Sequence, residues 1–379
     1  MVAGLVVTLC HTGAEFEALK KSWNSLLERS HSRSVFLTWE WQYTWWCHLG
    51  QDVGLSLVIV RSVTGELVGI APFCVTKSGI LPVHVLSFMG TTYVSSEYLD
   101  IISHPEYEKE VAMAVAQVFL DDKGSWDLVV RTDLNDSSVT LRYLKDLLQS
   151  PKILIEQSLC QSCPYLSLPT SSDMFRAGLG SETRASLKRR TKKLGQLGAV
   201  VESIKSVDEV PAQLHTLFSL HEKRWRLRGL RGNFREESVR RFHLDVARLF
   251  LGCGWLGLYT LQTNDNTIAC LYGFNYARKY YYFQAGFDPS WANHSPGFVL
   301  MGRCIEDAIA QGLDEFDYLR GMEPYKRRWT KTQRQTWCLT IIPEDRTRGR
   351  LHYRSKQIVK RSKAIVKRAL AAFSSGAGR

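Results

Sequence analysis

The sequence predicts an α/β protein built from mixed sheets and divided into two domains. Its 379 residues provide room for two domains of roughly 150 residues each. A hydrophobic fraction of 45% with 11% aromatic residues is globular composition and excludes a largely disordered or collagen-like chain. Short apolar runs alternate with amphipathic helical patterns, in a similar order in both halves. We therefore expect domains at 1–165 and 166–345, followed by a tail at 346–379.

The first half is expected to alternate strands with helices. LVVTL begins the series as a strand, and the turn at Thr64-Gly65 separates two long strands. We predict strands at 5–9, 55–62, 66–75, 83–90, 97–103 and 126–134, and helices at 16–29, 36–50, 107–120 and 139–148.

The second half repeats this order without residue-level similarity to the first. A polar, basic helix is expected at 170–195. We predict strands at 199–204, 255–262, 267–276, 279–287, 315–319 and 337–343, and further helices at 209–224, 236–251 and 296–311.

Positive charge is concentrated at the C-terminus. Of the formal net charge of +12, the segment 346–379 contributes +11, which leaves +1 for the rest of the chain. Leu351, Ile358, Ile365 and Ala372 recur every seven residues, so an amphipathic helix with a cationic face is expected. Such a helix suits an anionic membrane surface, a solvated or partner-packed face, or, less favoured, nucleic acid.

Cysteine usage and the N-terminus favour a cytoplasmic location. Nine cysteines are scattered, and only Cys160 and Cys163 have the C-x-x-C spacing, without a second pair to complete a zinc site. We therefore expect no metal. We interpret MVAGLVVTLCHTG as a first strand rather than a secretion signal, and no apolar run is long enough to cross a bilayer.

Four tryptophans lie close together in FLTWEWQYTWWCHLG. Trp41 and Trp45 share a helix face at a spacing of four residues, which would suit a stacking platform. Core or interdomain packing is the preferred interpretation of this cluster, because aromatic side chains dominate cores by buried area.

NHSPGFVLMGRCIEDAIAQGL contains the first candidate site. Ser295 suits a helix N-cap, Pro296 suits the first helical position, and Gly312 suits the C-terminal stop. The N–H groups of Gly297, Phe298 and Val299 would then point out of the helix start. Unpaired N–H groups and the helix dipole bind anions such as a diphosphate, and a capped helix without a ligand is the alternative.

DEFDYLRGMEPYKRRW contains the second candidate site. Asp317 would lie in mid-strand, either paired with Arg320 or Arg328 or acting as a base with a raised pKa. Tyr325 offers a proton, and Lys326 offers a positive charge for an oxyanion or a phosphate. Trp329 follows within the same compact turn.

Two further stretches are rich in basic residues. LHEKRWRLRGLRGNF places His221 and Trp225 on one helix face, as it does Arg224 and Arg228, before a glycine-containing loop that we interpret as a cover for a site. Here His221 is either a base or, by preference, a surface or core residue. Six Lys/Arg lie between Thr183 and Lys193, where a solvated helix face is the default interpretation.

Several stretches resemble the CelD/BcsL-type acetyltransferases of cellulose and exopolysaccharide biosynthesis, a branch of the GNAT superfamily. No G-x-S-x-G, Walker loop or H-E-x-x-H motif competes with this interpretation. Met322 stands where we expect an acidic residue. The matching segments are FLTWEWQYTWWCHLG, SETRASLKRRTKKL, LHEKRW with GLRGNF, and YYYFQAGFDPSWANHSPGFVL running into FDYLRGMEPYKRRW.

The resemblance implies two tandem GNAT-like domains, as in the Fem peptidoglycan aminoacyltransferases, with acyl-CoA as donor and an amine or hydroxyl as acceptor. It implies that the diphosphate of acetyl-CoA lies at Ser295, Gly297 and Phe298, and that the pantetheine arm follows Gln284–Gly286. We accordingly predict Asp317, Tyr325 and Lys326 as catalytic residues. Residues predicted to bind the acceptor, a sugar or glycan precursor, are Arg224, Trp225, Arg320 and Trp329.

Two rival functions stay open at this point. A Fem-like transferase using aminoacyl-tRNA would account for the basic helix at 183–193 and for the basic tail. A non-catalytic scaffold of an exopolysaccharide synthase would account for a degenerate pocket. The leading prediction is a cytoplasmic acyltransferase that associates peripherally with the membrane through its tail.

Overall fold

The computed structural model describes residues 4–79, 82–121, 124–227, 229, 232–264 and 266–358. Its strands, numbered in chain order, are β1 (Leu5–Cys10), β2 (Gly54–Ser62), β3 (Leu67–Ser78), β4 (Val83–Phe88), β5 (Ile102–Ser103), β6 (Leu128–Asn135), β7 (Ile153–Ser167), β8 (Val200–Ser203), β9 (Leu256–Thr263), β10 (Asn266–Tyr276), β11 (Lys279–Phe287), β12 (Glu315–Asp317) and β13 (Gln333–Pro343).

The helices surround this set of strands. They are α1 (Gly13–Ala18), α2 (Lys20–Arg29), α3 (Trp39–Leu49), α4 (Glu108–Asp121), α5 (Lys145–Leu147), α6 (Ser172–Gly178), α7 (Ser181–Gln196), α8 (Val210–Arg226), α9 (Glu237–Gly252), α10 (Pro296–Ala310) and α11 (347–358). Helix α11 reaches the last described residue, Ile358. The rest of the predicted tail at 346–379 lies outside the described residues.

Among the described residues the strands form one mixed sheet with the order β1-β2-β3-β4-β6-β13-β7-β12-β11-β10-β9-β8, and β5 pairs with β3. Two parallel pairs interrupt an otherwise antiparallel arrangement, β4 with β6 and β11 with β12. A helix lies between the two strands of each pair, α4 in the first half and α10 in the second. This repetition gives the two tandem GNAT-like halves that the fold class predicted.

Strand β7 is the centre of the sheet and was not predicted from the sequence. It pairs with β13 on one side and with β12 on the other. Strand β13 also pairs with β6, so the strand expected to close the second half lies in the sheet of the first. Residue 165 lies within β7, and the sheet is continuous across this position. The predicted domain boundary at residue 165 therefore stays a prediction.

Most strongly periodic segments form the elements expected of them, and the differences have local causes. The helix predicted at 170–195 is divided at Leu179–Gly180, where the chain becomes extended. The predicted helix at 16–29 is likewise two helices that meet at Leu19. The strand predicted at 97–103 is reduced to its last two residues, because 89–101 is a long loop.

The tryptophan cluster is core, as preferred from the sequence. Of its four members, Trp41 and Trp45 are fully buried, Trp39 is 5% exposed and Trp46 is partly buried. The larger apolar cluster joins α3 of the first half to α8 and α9 of the second, while a smaller cluster lies between α10, α7 and the sheet. Because they share a core, the two halves are held rigidly against each other, and that fixes the geometry of any site between them.

Within the described residues, no helix combines the length and apolar character needed to cross a membrane. The nine cysteines all lie among the described residues, where they form no disulfide bond. The part of the chain that the structure describes brings no three His, Cys, Asp or Glu side chains together in a metal-binding group.

Candidate functional site

The second half opens a wedge between its two parallel strands. Strands β11 and β12 pair only from Lys279 to Tyr281 and from Glu315 to Asp317. Beyond this point the chain after β12 turns toward β7, because the Tyr318 N–H donates to Pro164 O at 3.0 Å and Leu319 adopts a left-handed φ of 55°. The side chains that follow on each strand therefore line a groove instead of pairing.

Helix α10 begins beside this wedge. Ser295 precedes it with a left-handed φ of 52°, and Pro296 occupies the first helical position. The Phe298 and Val299 N–H groups both donate to Ser295 O, at 3.1 and 3.3 Å. Of the three amides expected to be free, only the Gly297 N–H is without an acceptor among the described residues. The predicted anion site therefore offers one free backbone N–H instead of three.

The Ser295 side chain does not act as the predicted cap. No side-chain hydrogen bond caps α10, and the hydroxyl of Ser295 instead accepts from Arg190 of α7. The predicted stop is confirmed, since α10 ends at Ala310 and Gly312 follows with a φ of 71°. Because Ser295 contacts Arg190 instead of capping α10, the basic helix α7 is held against the start of α10.

A cavity of about 400 Å³, here named the α10 groove, lies between the start of α10 and the wedge. Its lining residues are Arg224, Tyr282, Ala285, Gly286, Phe287, Ala292, Ser295, Pro296, Gly297, Phe298, Met301, Pro324, Tyr325, Arg328 and Trp329. Apolar and aromatic walls with a few polar groups are typical of a small-molecule site.

Two arginines in the wall of the α10 groove carry charge that no described carboxylate neutralises in an ion pair. Arg224 lies over the ring of Phe287 at 5.4 Å, and Arg328 lies over the ring of Phe298 at 5.7 Å. Within the described residues neither guanidinium forms an ion pair with a carboxylate. A groove whose wall contains cations and a free N–H favours an anionic ligand.

A second cavity of about 280 Å³, here named the junction cavity, lies where the two halves meet. It shares Arg224, Tyr282, Ala285 and Tyr325 with the α10 groove, so the two cavities adjoin. The Tyr325 and Tyr282 hydroxyls are 3.4 Å apart at this shared wall. Its other lining residues are Ser95, Glu97, Trp225, Asn233, Phe283, Gln284, Tyr318, Leu319, Arg320, Glu323 and Lys326.

An ion cluster contributed by both halves lies at the junction cavity, with Glu97 and Asp133 buried and the Arg320 side chain 33% exposed. Arg320 donates from Nε to Glu97 Oε1 at 2.8 Å and from Nη2 to Asp133 Oδ2 at 3.3 Å. The Arg320 backbone N–H also donates to Glu97, and Cys163 Sγ donates to Glu97 Oε2 at 3.5 Å. Burial raises the pKa of Glu97 to about 7, against the opposing effect of Arg320.

Backbone strain surrounds this cluster. Ser95, Tyr98, Asp133 and Leu319 all have left-handed φ values between 52° and 58°. Such conformations cost side-chain-bearing residues roughly 1–3 kcal/mol each and are concentrated at functional sites. The protein tolerates this strain beside a cavity to which both halves contribute charged groups.

The structure gives Lys326 and Tyr325 different environments. Lys326 Nζ is buried and donates to Arg320 O at 2.6 Å and Gly321 O at 3.2 Å, and it pairs with Glu323 at 2.9 Å. These three partners occupy the donors of the ammonium group, so Lys326 fixes the turn. Burial raises the pKa of Tyr325, so its phenol stays protonated and remains a proton donor toward both cavities.

Asp317 lies outside both cavities. Strand alternation points it away from Tyr318, toward a separate cavity of about 190 Å³ beside Tyr98 and Arg334. Its Oδ1 accepts from the Tyr98 hydroxyl at 3.2 Å and from the Leu319 N–H at 2.8 Å. The predicted role of Asp317 as the acceptor's base therefore does not fit its position.

His221 supports the wall of the junction cavity. Its Nε2 accepts from Trp225 Nε1 at 2.8 Å, and burial lowers its pKa to about 4. The neutral ring thus fixes the orientation of Trp225. Gly286 is required nearby, since a Cβ there would come within 2.8 Å of the His221 backbone N on α8.

Eleven of the twelve predicted site residues line the two adjoining cavities, and Asp317 is the exception. Sequence reasoning missed Glu97 and Asp133. The available signal was the loop 89–101, because a long loop without secondary structure in a compact domain is usually functional. Glu97 lies in this loop and was not recognised, because a strand was expected at 97–103.

Comparison with known families gives a match to the second half of the chain. Residues 181–327 match the family model described as an acetyltransferase (GNAT) domain. No curated protein matches the sequence.

Solved structures share the fold over nearly the whole chain. FemX aligns with a TM-score of 0.60 and 11% identity, covering 88% of this chain and 96% of that one. A conserved protein of unknown function from Bacteroides thetaiotaomicron VPI-5482 has a TM-score of 0.55 and 9% identity, with coverages of 89% and 100%. L-PGS from Bacillus licheniformis has a TM-score of 0.52 and 10% identity, with coverages of 86% and 92%.

At these identities the structural likeness establishes the fold alone. The splayed strands beside α10 agree with the family match at 181–327. The second half of the chain thus contains a GNAT-type acetyltransferase domain.

Proposed function

We propose that the protein transfers an acyl group from acyl-CoA in the α10 groove to an acceptor in the junction cavity. The observation that carries this proposal is the shared wall of the two cavities at Tyr282, Ala285 and Tyr325. A thioester at that wall would be accessible both from the α10 groove and to an acceptor in the junction cavity. Holding donor and acceptor in adjoining cavities converts an encounter in solution into a reaction between oriented neighbours.

The donor is an acetyl-like acyl-CoA. Its diphosphate is placed at the Gly297 N–H and Ser295, with Arg328 and Phe298 beside it. The pantetheine arm runs from there along β11 past Gly286 toward Gln284. Support comes from the free amide, the unneutralised arginines and the apolar wall of Trp329, which lies 4.8 Å from the ring of Phe298 in a stacked arrangement.

The acceptor is an amine or hydroxyl of a sugar or glycan precursor, in a CelD/BcsL-type role in exopolysaccharide biosynthesis. Carboxylate, guanidinium and amide groups meet the aromatic ring of Trp225 in the junction cavity. Polar groups combined with an aromatic surface suit the hydroxyls and the apolar face of a sugar ring. The protein is placed in the cytoplasm, with peripheral membrane contact through its basic tail.

In the reaction the acceptor's nitrogen or oxygen attacks the thioester carbonyl. A carbon–nitrogen or carbon–oxygen bond forms, the carbon–sulfur bond breaks, and the CoA thiolate leaves. Tyr325 is assigned as the hydrogen-bond donor that stabilises this thiolate, because its phenol stays protonated at the wall between the cavities. Lys326 keeps a supporting role by fixing the turn that bears Arg320.

The donor site is tested with Gly297→Ala. The new Cβ would lie 3.6 Å from Phe287 Cδ1, an ordinary contact, so the fold should be unaffected. Displacing the diphosphate from one charge-assisted hydrogen bond is expected to weaken acetyl-CoA binding roughly ten-fold. Isothermal titration calorimetry of wild type and variant measures this change.

Gly195→Ala is the matched control. Gly195 lies in α7, and a Cβ there would meet nothing within 4 Å, so its affinity for acetyl-CoA should equal that of wild type. No heat from the wild type at millimolar acetyl-CoA would count heavily against the proposed donor. Equal binding by Gly297→Ala would reject the diphosphate position alone.

One observation favours a second function, a Fem-like transferase using aminoacyl-tRNA. The basic helix α7 lies against the start of α10 through Arg190, which would bring RNA phosphates to the groove entrance. A gel shift with charged tRNA that is lost on deleting 346–379, combined with no response to acetyl-CoA, would select this alternative. Membrane fractionation and pull-down without binding of either donor would instead indicate a scaffold.

A further inference from the structure

We infer that Glu97, contributed by the first half of the chain, takes the proton from the acceptor. This inference rests on the proposed acyl transfer into the junction cavity. It makes both halves part of one active site, with the donor held by the second and the base supplied by the first.

Position is the first argument. Glu97 and Glu323 are the carboxylates among the described residues that line the junction cavity. Glu323 is exposed and forms an ion pair with Lys326 at 2.9 Å. Glu97 is only 2% exposed and lies in the wall that also contains Tyr282 and Tyr325. A base must be within hydrogen-bond reach of the acceptor, and Glu97 is the carboxylate shielded from bulk water.

Charge is the second argument. Glu97 and Asp133 share the single guanidinium of Arg320, at 2.8 and 3.3 Å. The three groups carry a net charge of −1 when both acids are ionised, and one proton taken up by Glu97 makes the buried cluster neutral. Arg320 then keeps Asp133 as its partner, so proton uptake leaves no buried cation unpaired.

The proton affinity of Glu97 agrees with this role. Burial raises its pKa to about 7, Asp133 acts in the same direction, and Arg320 opposes them. The thiol of Cys163 faces the same carboxylate, and burial raises the pKa of that thiol, so it stays protonated. A base is most effective when its pKa lies near the working pH.

Backbone strain is the third argument. The residues two before and one after Glu97, Ser95 and Tyr98, are both left-handed. The loop is held in this shape from the first half, because Trp41 Nε1 donates to Ser96 Oγ at 2.8 Å. The fold thus maintains a costly backbone that directs one carboxylate into the cavity.

The complete step balances. Glu97 receives the acceptor's proton as the new bond to the acyl carbon forms, and the protonated phenol of Tyr325 donates a hydrogen bond to the departing thiolate. The proton on Glu97 then passes to the thiolate through the cavity or solvent. The net reaction is acyl-CoA plus acceptor to acylated acceptor plus CoA thiol.

The test is Glu97→Gln, assayed with acetyl-CoA as donor and water or N-acetylglucosamine as acceptor. Neither acceptor titrates between pH 5 and 9, so an acid limb belongs to the protein. Wild-type thiol release should rise with pH through about 7, since Glu97 must be ionised to accept a proton. In the variant the rate should fall roughly 100-fold or more and lose this limb, with acetyl-CoA affinity by calorimetry unchanged.

Glu108→Gln is the matched control. Glu108 is buried at 5% exposure and pairs with Arg142 at 2.7 Å, away from both cavities, so this variant loses a comparable pair but should keep the acid limb. A wild-type-minus-variant infrared difference spectrum should show the Glu97 carboxyl protonating as the pH falls through about 7, independently of turnover. Two results would overturn the inference, provided that wild type binds acetyl-CoA. One is a Glu97→Gln variant that keeps the wild-type rate and acid limb, and the other is a difference spectrum without such a carboxyl. Absence of acetyl-CoA binding by wild type overturns the proposed function instead.

Discussion

Trp41→Ala is expected to lower the free energy of unfolding by about 3–5 kcal/mol. The indole is fully buried and lies within 5.0–6.2 Å, centroid to centroid, of Phe36, Phe242, Phe250, Phe274 and Phe283. Removing it leaves a cavity between α3 and α9 that rigid neighbours on both sides cannot fill. Urea unfolding followed by far-UV circular dichroism measures the loss.

The same substitution reports on how the halves are joined. Because Trp41 belongs to the core shared by both halves, far-UV and near-UV transitions should shift together to lower urea. The substitution also removes the hydrogen bond to Ser96, so the loop carrying Glu97 should become more accessible to hydrogen exchange.

Trp46→Ala is the comparison on the same helix. Trp46 is only partly buried, so its loss should cost clearly less than that of Trp41. Equal effects of the two substitutions, or separation of the unfolding into two transitions in which only the first half is affected, would contradict the shared core.

Arg320→Met is expected to cost about 3–5 kcal/mol at pH 8, because it leaves two buried carboxylates without their cation. Glu97 is 2% exposed and Asp133 is 4% exposed. Glu97 keeps the backbone N–H of residue 320 as a donor, and Asp133 keeps its hydrogen bond from Thr336. Neither of these neutral contacts replaces the lost positive charge.

The deficit should depend on pH in a defined direction. The folded-state pKa of Glu97, already raised from 4.5 to about 7, should rise further once Arg320 no longer opposes it. Between the unfolded and folded pKa values the folded state binds more protons, so stability is present at low pH and is lost as the pH rises. Up to about pH 7 the two proteins should lose stability in parallel, because Glu97 is protonated in both folded states; above it the variant should fall increasingly behind, because only the wild-type carboxyl is then ionised.

Arg278→Met provides the contrast. Arg278 forms an exposed two-point contact with Asp314, at 2.6 and 2.7 Å, where water screens the charges. Its loss should change stability little across this pH range. A pH-independent deficit for Arg320→Met, or one that grows toward acid, would show that the cluster does not hold its charge as described.

Much of the second half could be predicted from local sequence. Pro296 and Gly312 fix the limits of α10, and the apolar runs of β9, β10 and β11 are strong strand patterns interrupted by short turns. These signals depend on neighbouring residues alone, which is why the position of the α10 groove was accessible before any tertiary information.

Strand β7 shows where such reasoning fails. Its sequence ILIEQSLCQSCPYLS is rich in polar residues and reads as a weak strand. It is nevertheless central, because β13 and β12 pair along its two edges and Cys160 and Cys163 donate to Asp133 and Glu97. Partners that arrive from distant parts of the chain supply the stability that the local pattern lacks.

The sequence by itself determined the α/β class, the start of α10 and eleven of the residues that line the two cavities. Only the tertiary structure decided that Asp317 points away from them and that Glu97 points into them. Strand alternation fixes which residues share a face, but the face that meets the groove depends on packing between the halves. Glu97 lies on a loop without periodicity, so only the assembled sheet could place its carboxylate beside Arg320.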